Sequence, residues 1–323
     1  MKLPTGTDVA AAAARIAPYI VRTPLLRSLQ LDEITGGTIL IKPEPLQKTG
    51  SFKFRGATNS ILQLTEAQRA GGVVAFSSGN HGQAVACAAA AAGVASTIIM
   101  PSDAPAIKVE STRDWGANIT HYDRMTDDRE QIAAEFVAKT GATLIAPFDY
   151  APTICGQGTA GLEAIQDAMA LGLVMDDFLV CTGGGGFVAG CALAAEKFSP
   201  KTLVHSVEPE GWDDHARSLI AGERLANPPG GSLLCDSLLA PIPGKMTFEI
   251  NRRLLGPGVV VSEQDVFAAM RFAFLRLKIV VEPGGAVALA ALLSGKFDAR
   301  GKVVGVVLSG GNVDPAVFER VLH

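Results

Sequence analysis

The chain has 323 residues, 48% of them hydrophobic, with 28 lysines and arginines against 32 aspartates and glutamates, a formal net charge of −4. That much apolar sequence can bury a core and excludes a disordered chain, and the length leaves room for one large or two medium domains. Charges interleave without a basic block, which excludes nucleic acid as the expected partner. The cysteines Cys87, Cys155, Cys181, Cys191 and Cys235 are odd in number and show no C-x-x-C spacing. They suit neither a disulfide framework nor a metal knuckle. Met1–Arg15 lacks an apolar core behind a basic start, so a cytoplasmic protein is expected. The Ala84–Ala95 stretch is the most apolar helix and is short for a bilayer, so no membrane partner is expected.

In chain order, strand-like Thr38–Leu46 runs into Lys48-Thr49-Gly50-Ser51-Phe52-Lys53-Phe54-Arg55-Gly56-Ala57, where helical composition begins. Lys53 therefore stands at an element boundary, among small residues that let a ligand approach the backbone. An amine held there and partly desolvated is what Schiff-base chemistry requires. The plainer reading of one lysine is a solvated surface residue; three later segments tell against it. Val73–Phe76 reads as a strand, and Ser77-Ser78-Gly79-Asn80-His81-Gly82-Gln83-Ala84 turns from it into a helix at His81–Ala92. Hydroxyls, an amide and helix N-terminal N–H groups in one turn suit a carboxylate or phosphate. Ser96–Met100, Ile119–Tyr122 and Leu144–Pro147 follow as strands, with a helix over Asp127–Thr140.

A helix at Thr159–Met169 leads to the strand Phe178–Cys181, and Thr182-Gly183-Gly184-Gly185-Gly186-Phe187 then opens the helix Val188–Lys197. Four glycines leave four N–H groups unobstructed, enough to wrap one phosphate. No Walker lysine follows and no dinucleotide spacing is present. After the strand Leu203–Val207 comes Glu208-Pro209-Glu210-Gly211-Trp212-Asp213-Asp214. Its carboxylates six apart, with a carbonyl between, form either a hard-cation site or a solvated acidic turn. Asn227-Pro228-Pro229-Gly230-Gly231 reads as a loop and not a domain boundary. The strand Val259–Ser262 and helix Gln264–Leu277 precede Glu282-Pro283-Gly284-Gly285, which opens the helix Gly285–Ser294. The apolar strand Val303–Leu308 fits burial on both faces and ends in Ser309-Gly310-Gly311-Asn312. Such alternation argues an α/β fold with parallel sheets, ligand loops lying at the carboxyl ends of strands.

Together, the Lys53 segment, the Ser77–Ala84 turn, the four-glycine loop and the Ser309 segment resemble the serine/threonine dehydratase branch of fold-type-II pyridoxal-phosphate enzymes. That branch holds threonine ammonia-lyases and serine racemases. The resemblance runs from Thr23-Pro24-Leu25 to Ser309-Gly310-Gly311-Asn312, specific for the superfamily and less so for substrate. It implies a tryptophan synthase β-like fold with two open parallel-sheet α/β domains and the cofactor in the cleft. Residues 1–53 and 150–323 would form the large domain, and 54–149 a small mobile one. By the same resemblance Lys53 would hold pyridoxal 5'-phosphate as a Schiff base and serve as the base at Cα. Phe52 would pack on the cofactor ring, Asn80 would bond its phenolic oxygen, and Gly183, Gly184, Gly185, Gly186 and the Phe187 N–H would cradle its phosphate. Ser309 would face the pyridine nitrogen, moderating the electron sink relative to an aspartate, and Glu282 would lie near the ring. Ser77, Ser78, Asn80 and His81 would bind the substrate carboxylate. In serine racemases the residue matching Ser78 also works on the opposite face, although dehydratases carry it too.

Glu208, Asp214 and the Trp212 carbonyl match cation-binding positions of related enzymes, implying Mg²⁺ or Ca²⁺, with Trp212 where relatives often have alanine. Arg129 aligns with a substrate-contacting arginine of racemases, whereas Phe148 is dehydratase-like. Ser232–Gly244 departs from the usual Ala-Asp-Gly loop: Asp236 matches and Ser237 replaces glycine. The resemblance implies a lyase that converts a β-hydroxy-L-amino acid such as threonine or serine to a 2-keto acid plus ammonia, in a homodimer or homotetramer. Alternatives are a serine racemase, a dehydratase of 3-hydroxyaspartate or a bulkier hydroxyamino acid, and a non-catalytic relic, against which Lys53, Asn80 and Ser309 together speak. The chain ends at His323, soon after the Ser309 loop, so a regulatory domain and end-product feedback are not expected.

Overall fold

Among the described residues, apolar, β-branched runs make ten strands: β1 (Leu26–Arg27), β2 (Thr38–Pro43), β3 (Val73–Phe76), β4 (Ser96–Pro101), β5 (Asn118–Tyr122), β6 (Thr143–Leu144), β7 (Asp177–Cys181), β8 (Leu203–Pro209), β9 (Val259–Val261) and β10 (Val303–Leu308). The computed structural model describes every residue except Met1, Ser78, Pro105 and Arg124; the side chains of Ala106, Ile107 and Lys108 are also outside the described set. The strands form a six-stranded sheet in the order β1-β2-β10-β7-β8-β9 and a four-stranded sheet in the order β5-β4-β3-β6. All pairings are parallel except β1 with β2.

In the large sheet, alternation decides which residues meet which helix layer. Ile39, Ile41, Leu179, Cys181, Val306 and Leu308 share one core with the helix Pro283–Leu293. Leu40, Phe178, Val180 and Val307 face the other core, built by the helices Ala151–Ala170 and Gly186–Phe198. Both faces are covered, as a parallel sheet demands. The last strand, β10, lies between β2 and β7, with Leu308 opposite Pro43. The loops after all three strands therefore open at the same sheet edge.

The strand expected at Leu144–Pro147 is the short β6 (Thr143–Leu144), and two helices differ from the sequence expectation for identifiable reasons. The helix expected at Thr159–Met169 starts at Ala151, because Gly156, Gly158 and Gly161 mark close packing and not a break. A Cβ on Gly158 would lie 2.5 Å from the Gly190 carbonyl oxygen, and one on Gly156 would lie 2.6 Å from that of Arg55. The helix expected at Gln264–Leu277 is α-helical over Glu263–Phe272 and π-helical over Ala273–Leu277, stopping at Lys278 with φ 61°. No helix among the described residues is long and apolar enough to cross a membrane.

A buried ionic quartet fastens the sheet to the helix Lys53–Leu62. Arg55 donates to both Glu44 oxygens at 2.7 and 2.8 Å and to Glu163 at 2.8 and 2.9 Å. Lys42 donates to Glu163 and to the Thr23 carbonyl, both at 2.7 Å. Lys42, Glu44 and Arg55 have no exposed surface, and Glu163 is buried. Burial opposes charge on Arg55, yet the Glu44 carboxylate holds it above the usual guanidinium range. Glu163, also opposed by burial, is held below the usual carboxylate range by its hydrogen bonds and attraction to Arg55 and Lys42. Removing one member leaves its partners charged and dry, the most costly way to break such a cluster. Glu163→Gln is expected to lower the unfolding free energy by roughly 3 kcal/mol in urea denaturation; a loss below about 1 kcal/mol would show that the quartet does not anchor this helix.

Candidate active site

The segment before Lys53 is pinned to the loop after β10. The Phe52 N–H donates to the Ser309 carbonyl at 3.1 Å, and Ser51 bridges to Gly310. Lys53 then opens its helix, and its Nζ donates to the Pro147 carbonyl at 3.0 Å. The amine lies 5.1 Å from the centroid of the Phe52 ring. That ring stacks on Phe187, with centroids 4.0 Å apart and planes 11° from parallel. This stack joins the lysine segment to the start of the helix that follows the glycine loop. Burial pulls the Lys53 amine down to about 8, with the Glu282 and Cys181 side chains opposing the shift.

The four glycines are required by close approach. A Cβ on Gly184 would lie 2.4 Å from the Phe148 ring, and one on Gly185 would lie 2.3 Å from His215 Nε2. Gly185 also has φ +89°, a left-handed conformation that glycine adopts without strain. The Gly184 carbonyl accepts from Thr247 Oγ1 at 2.8 Å, and the Gly185 carbonyl accepts from Asn251 Nδ2 at 3.3 Å. The helix Gly186–Phe198 starts without a side-chain cap, so the Gly186 and Phe187 N–H groups have no partner within it. With its carbonyls occupied, the loop has amides to offer an anion.

On the other side of Lys53, Asn80 Nδ2 donates to Glu282 Oε1 at 2.6 Å, and Asn312 Nδ2 donates to Asn80 Oδ1 at 2.8 Å and to the Thr49 carbonyl at 2.7 Å. Four separate segments thus hold one another through carboxamides and a carboxylate. Ser309 is buried, and its partner is the Cys181 thiol, which burial pushes up to about 12. His81 Nε2 lies 2.8 Å from the Ile145 carbonyl, and burial, then the nearby Lys53 charge, pull its imidazole down to about 3. A neutral, engaged imidazole adds no positive charge for a substrate carboxylate. The groups of this turn that could hold an anion are the N–H groups at the start of the helix Asn80–Ala91. Ser77 Oγ accepts from the Gly79 N–H at 3.1 Å. Ser78 lies outside the described residues.

The acidic loop brings Glu208 and Asp214 together, both without exposed surface, and adds His215, which sequence reasoning did not single out. Burial, then the proximity of Asp214, holds Glu208 well above the carboxylate range; burial pushes Asp214 up to about 7. The Trp212 indole N–H donates to the Ser232 carbonyl at 2.7 Å. Arg129 places its guanidinium carbon 5.4 Å from the centroid of Phe76, the last residue before the Ser77 turn. Cys181 and the Arg55 quartet were also missed; strand composition and a helical arginine carry no mark of such partners.

A partly buried amine of lowered basicity, a glycine loop that ends in helix-start amides and a buried hydroxyl are groups that could hold pyridoxal phosphate. The family described as pyridoxal-phosphate dependent enzyme matches residues 16–310. The chain belongs to this family. It is 43% identical over 322 residues, covering 100% of this chain and 99% of the relative, to an L-threo-3-hydroxyaspartate ammonia-lyase of Pseudomonas sp.. It is 42% identical to a protein of the same description from Saccharomyces cerevisiae, with 97% and 95% covered. The structure of maize serine racemase superposes with a TM-score of 0.93 at 37% identity, covering 99% of this chain and 97% of that one.

Only the neutral amine can attack the cofactor aldehyde. Because Lys53 titrates near 8, the rate of cofactor capture by the apoprotein, followed by visible absorbance, is expected to rise with pH and level off above about 8. A rate still climbing at about pH 10, where an ordinary lysine titrates, would contradict this environment. Lys53→Ala is expected to abolish both the visible band and turnover.

Proposed function

We propose that the chain is a hydroxyamino-acid ammonia-lyase that removes water, then ammonia, from L-threo-3-hydroxyaspartate in preference to threonine or serine. Bound pyridoxal phosphate supplies a sink for the electron pair left at Cα. The observation that carries this reading is the Lys53 amine, partly buried and titrating near 8, beside the amide cup. Such an amine can take the Cα proton near neutral pH and hold it as ammonium. The helix-start amides at Asn80 and His81 orient the α-carboxylate, and the stacked Phe52 and Phe187 rings limit water around Lys53. Loss of the β-hydroxyl gives an enamine, whose imine tautomer is hydrolysed to the 2-keto acid and ammonia. The water lost in the first stage is regained in the last.

The choice of substrate is supported by the two hydroxyaspartate ammonia-lyases matched over nearly the whole chain. Arg129, beside the strand end that leads into the Ser77 turn, is a cation suited to a second carboxylate. The test measures 2-keto acid release and D-isomer formation from L-threo-3-hydroxyaspartate, threonine and serine with the cofactor-loaded protein. Hydroxyaspartate is expected to give the highest kcat/KM. Arg129→Ala is expected to lower that value about 100-fold while changing threonine turnover by less than about twofold, as loss of one charged hydrogen-bond partner predicts. Equal losses on both substrates would remove Arg129 from substrate recognition. A D-amino acid without 2-keto acid would replace the lyase by a racemase.

A further inference from the structure

The helix Lys245–Leu254 starts at Gly244, which has no side chain to cap it. Its cap comes from elsewhere in the chain. Asp149 Oδ1 accepts from the Met246 and Thr247 N–H groups at 2.8 and 3.1 Å, and Oδ2 accepts from the Lys245 N–H at 3.0 Å. One carboxylate thus takes three of the four N–H groups that a helix start leaves open, and it faces the positive end of the helix dipole. A Cβ on Gly244 would lie 2.5 Å from Asp149 Oδ1, so the residue that cannot cap is the one that admits this distant cap.

The capped helix holds the four-glycine loop by its carbonyls. Thr247 Oγ1 donates to the Gly184 carbonyl at 2.8 Å, joined by the Gly244 N–H at 3.3 Å, and Asn251 Nδ2 donates to the Gly185 carbonyl at 3.3 Å. In a planar trans peptide the C=O and the following N–H point in opposite directions. Holding these two carbonyls on the helix therefore turns the Gly185 and Gly186 N–H groups away from it. Thr247 and Asn251 have no exposed surface, so water does not compete for their side chains. Phe148, next to Asp149, backs the same loop: Cβ atoms on Gly184 and Gly186 would lie 2.4 Å from its ring and 2.8 Å from its carbonyl oxygen. The Pro147 carbonyl, one residue earlier, accepts from the Lys53 amine. A short stretch between β6 and the helix Ala151–Ala170 thus touches the amine, the loop and the helix that orients the loop.

We propose that Asp149 is a positioning residue for the cofactor phosphate: by capping the helix Lys245–Leu254 it fixes Thr247 and Asn251, and through them aims the Gly185 and Gly186 amides. The proposal rests on the reading of the glycine loop as the phosphate cup. Cap and helix are 96 residues apart in sequence, so no local capping pattern marks the pair.

The test uses the full chain, freed of cofactor and titrated with pyridoxal 5'-phosphate or with pyridoxal, which carries the same aldehyde without the phosphate, while the visible band is followed. The wild type is expected to prefer the phosphorylated form. Asp149→Ala is expected to weaken pyridoxal 5'-phosphate at least about tenfold, as loss of a strong cap predicts, and pyridoxal by less than about twofold. Asp149→Asn keeps an acceptor oxygen and is expected to lose less. Thr247→Val removes the hydroxyl that holds Gly184; combined with Asp149→Ala it is expected to lower affinity by less than the product of the two single losses, because both act through one contact. Equal losses for both aldehydes, unchanged affinity for pyridoxal 5'-phosphate in Asp149→Ala, or fully multiplicative losses in the double variant would each overturn the assignment of Asp149 and leave the phosphate cup standing. A wild type that binds both aldehydes equally tightly would remove the cup itself, and the proposal with it. If the alanine protein does not fold, Asp149→Asn with Thr247→Val completes the same cycle.

Discussion

Everything around Lys53 depends on a dry knot of four charges. Lys42, Glu44, Arg55 and Glu163 come from the end of β2, the turn after it, the first turn of the lysine helix and the long Ala151–Ala170 helix. Two cations and two carboxylates balance, and each is multiply hydrogen-bonded. That is the condition under which buried charges become tolerable at all. The arrangement has little slack, because any displacement of the helix start uncovers a charge. Arg55 stands two residues beyond Lys53, so the reactive amine inherits that fixed position.

Sheet order does the rest of the assembly. With β10 inserted between β2 and β7, the lysine segment, the four-glycine loop and the Ser309 loop emerge side by side from three strands far apart in sequence. Packing there is close enough that side chains are excluded from the loops themselves. Phe148 fills the space at Gly184 and His215 the space at Gly185. The glycines therefore serve two ends, presenting amides on one side and admitting neighbouring rings on the other.

The electrostatics around Lys53 follow from which groups are dry. Burial lowers Lys53 to about 8 and His81 to about 3, so the amine can shuttle a proton near neutrality while the imidazole stays neutral. Behind the glycine loop the same burial raises Glu208 and Asp214. The two neighbourhoods meet in His215 and Asn251, which connect the acidic pocket to the loop backbone.

Much of this protein was legible in its sequence because its loops are written in local chemistry. The strand–turn–helix units at Lys53, Ser77, Gly183 and Ser309 each combine a buried apolar run with glycine or hydroxyl residues, a pattern that survives without knowledge of the fold. The parallel α/β class followed from their alternation. Sequence could not show that Gly156 and Gly158 lie inside a helix, since a glycine required by a neighbouring backbone looks the same as one that breaks a helix. Nor could it show that Arg55 is dry, that Cys181 backs Ser309, or that His81 points its imidazole at a backbone carbonyl. His215 is the sharpest case. In sequence it is one more polar residue after an acidic pair, and only the packing of its helix against the glycine loop turns it inward. Local residue choice determined the loops and the elements; long-range packing alone decided which side chains lost their water, and so which charges had to be paired and which were given up.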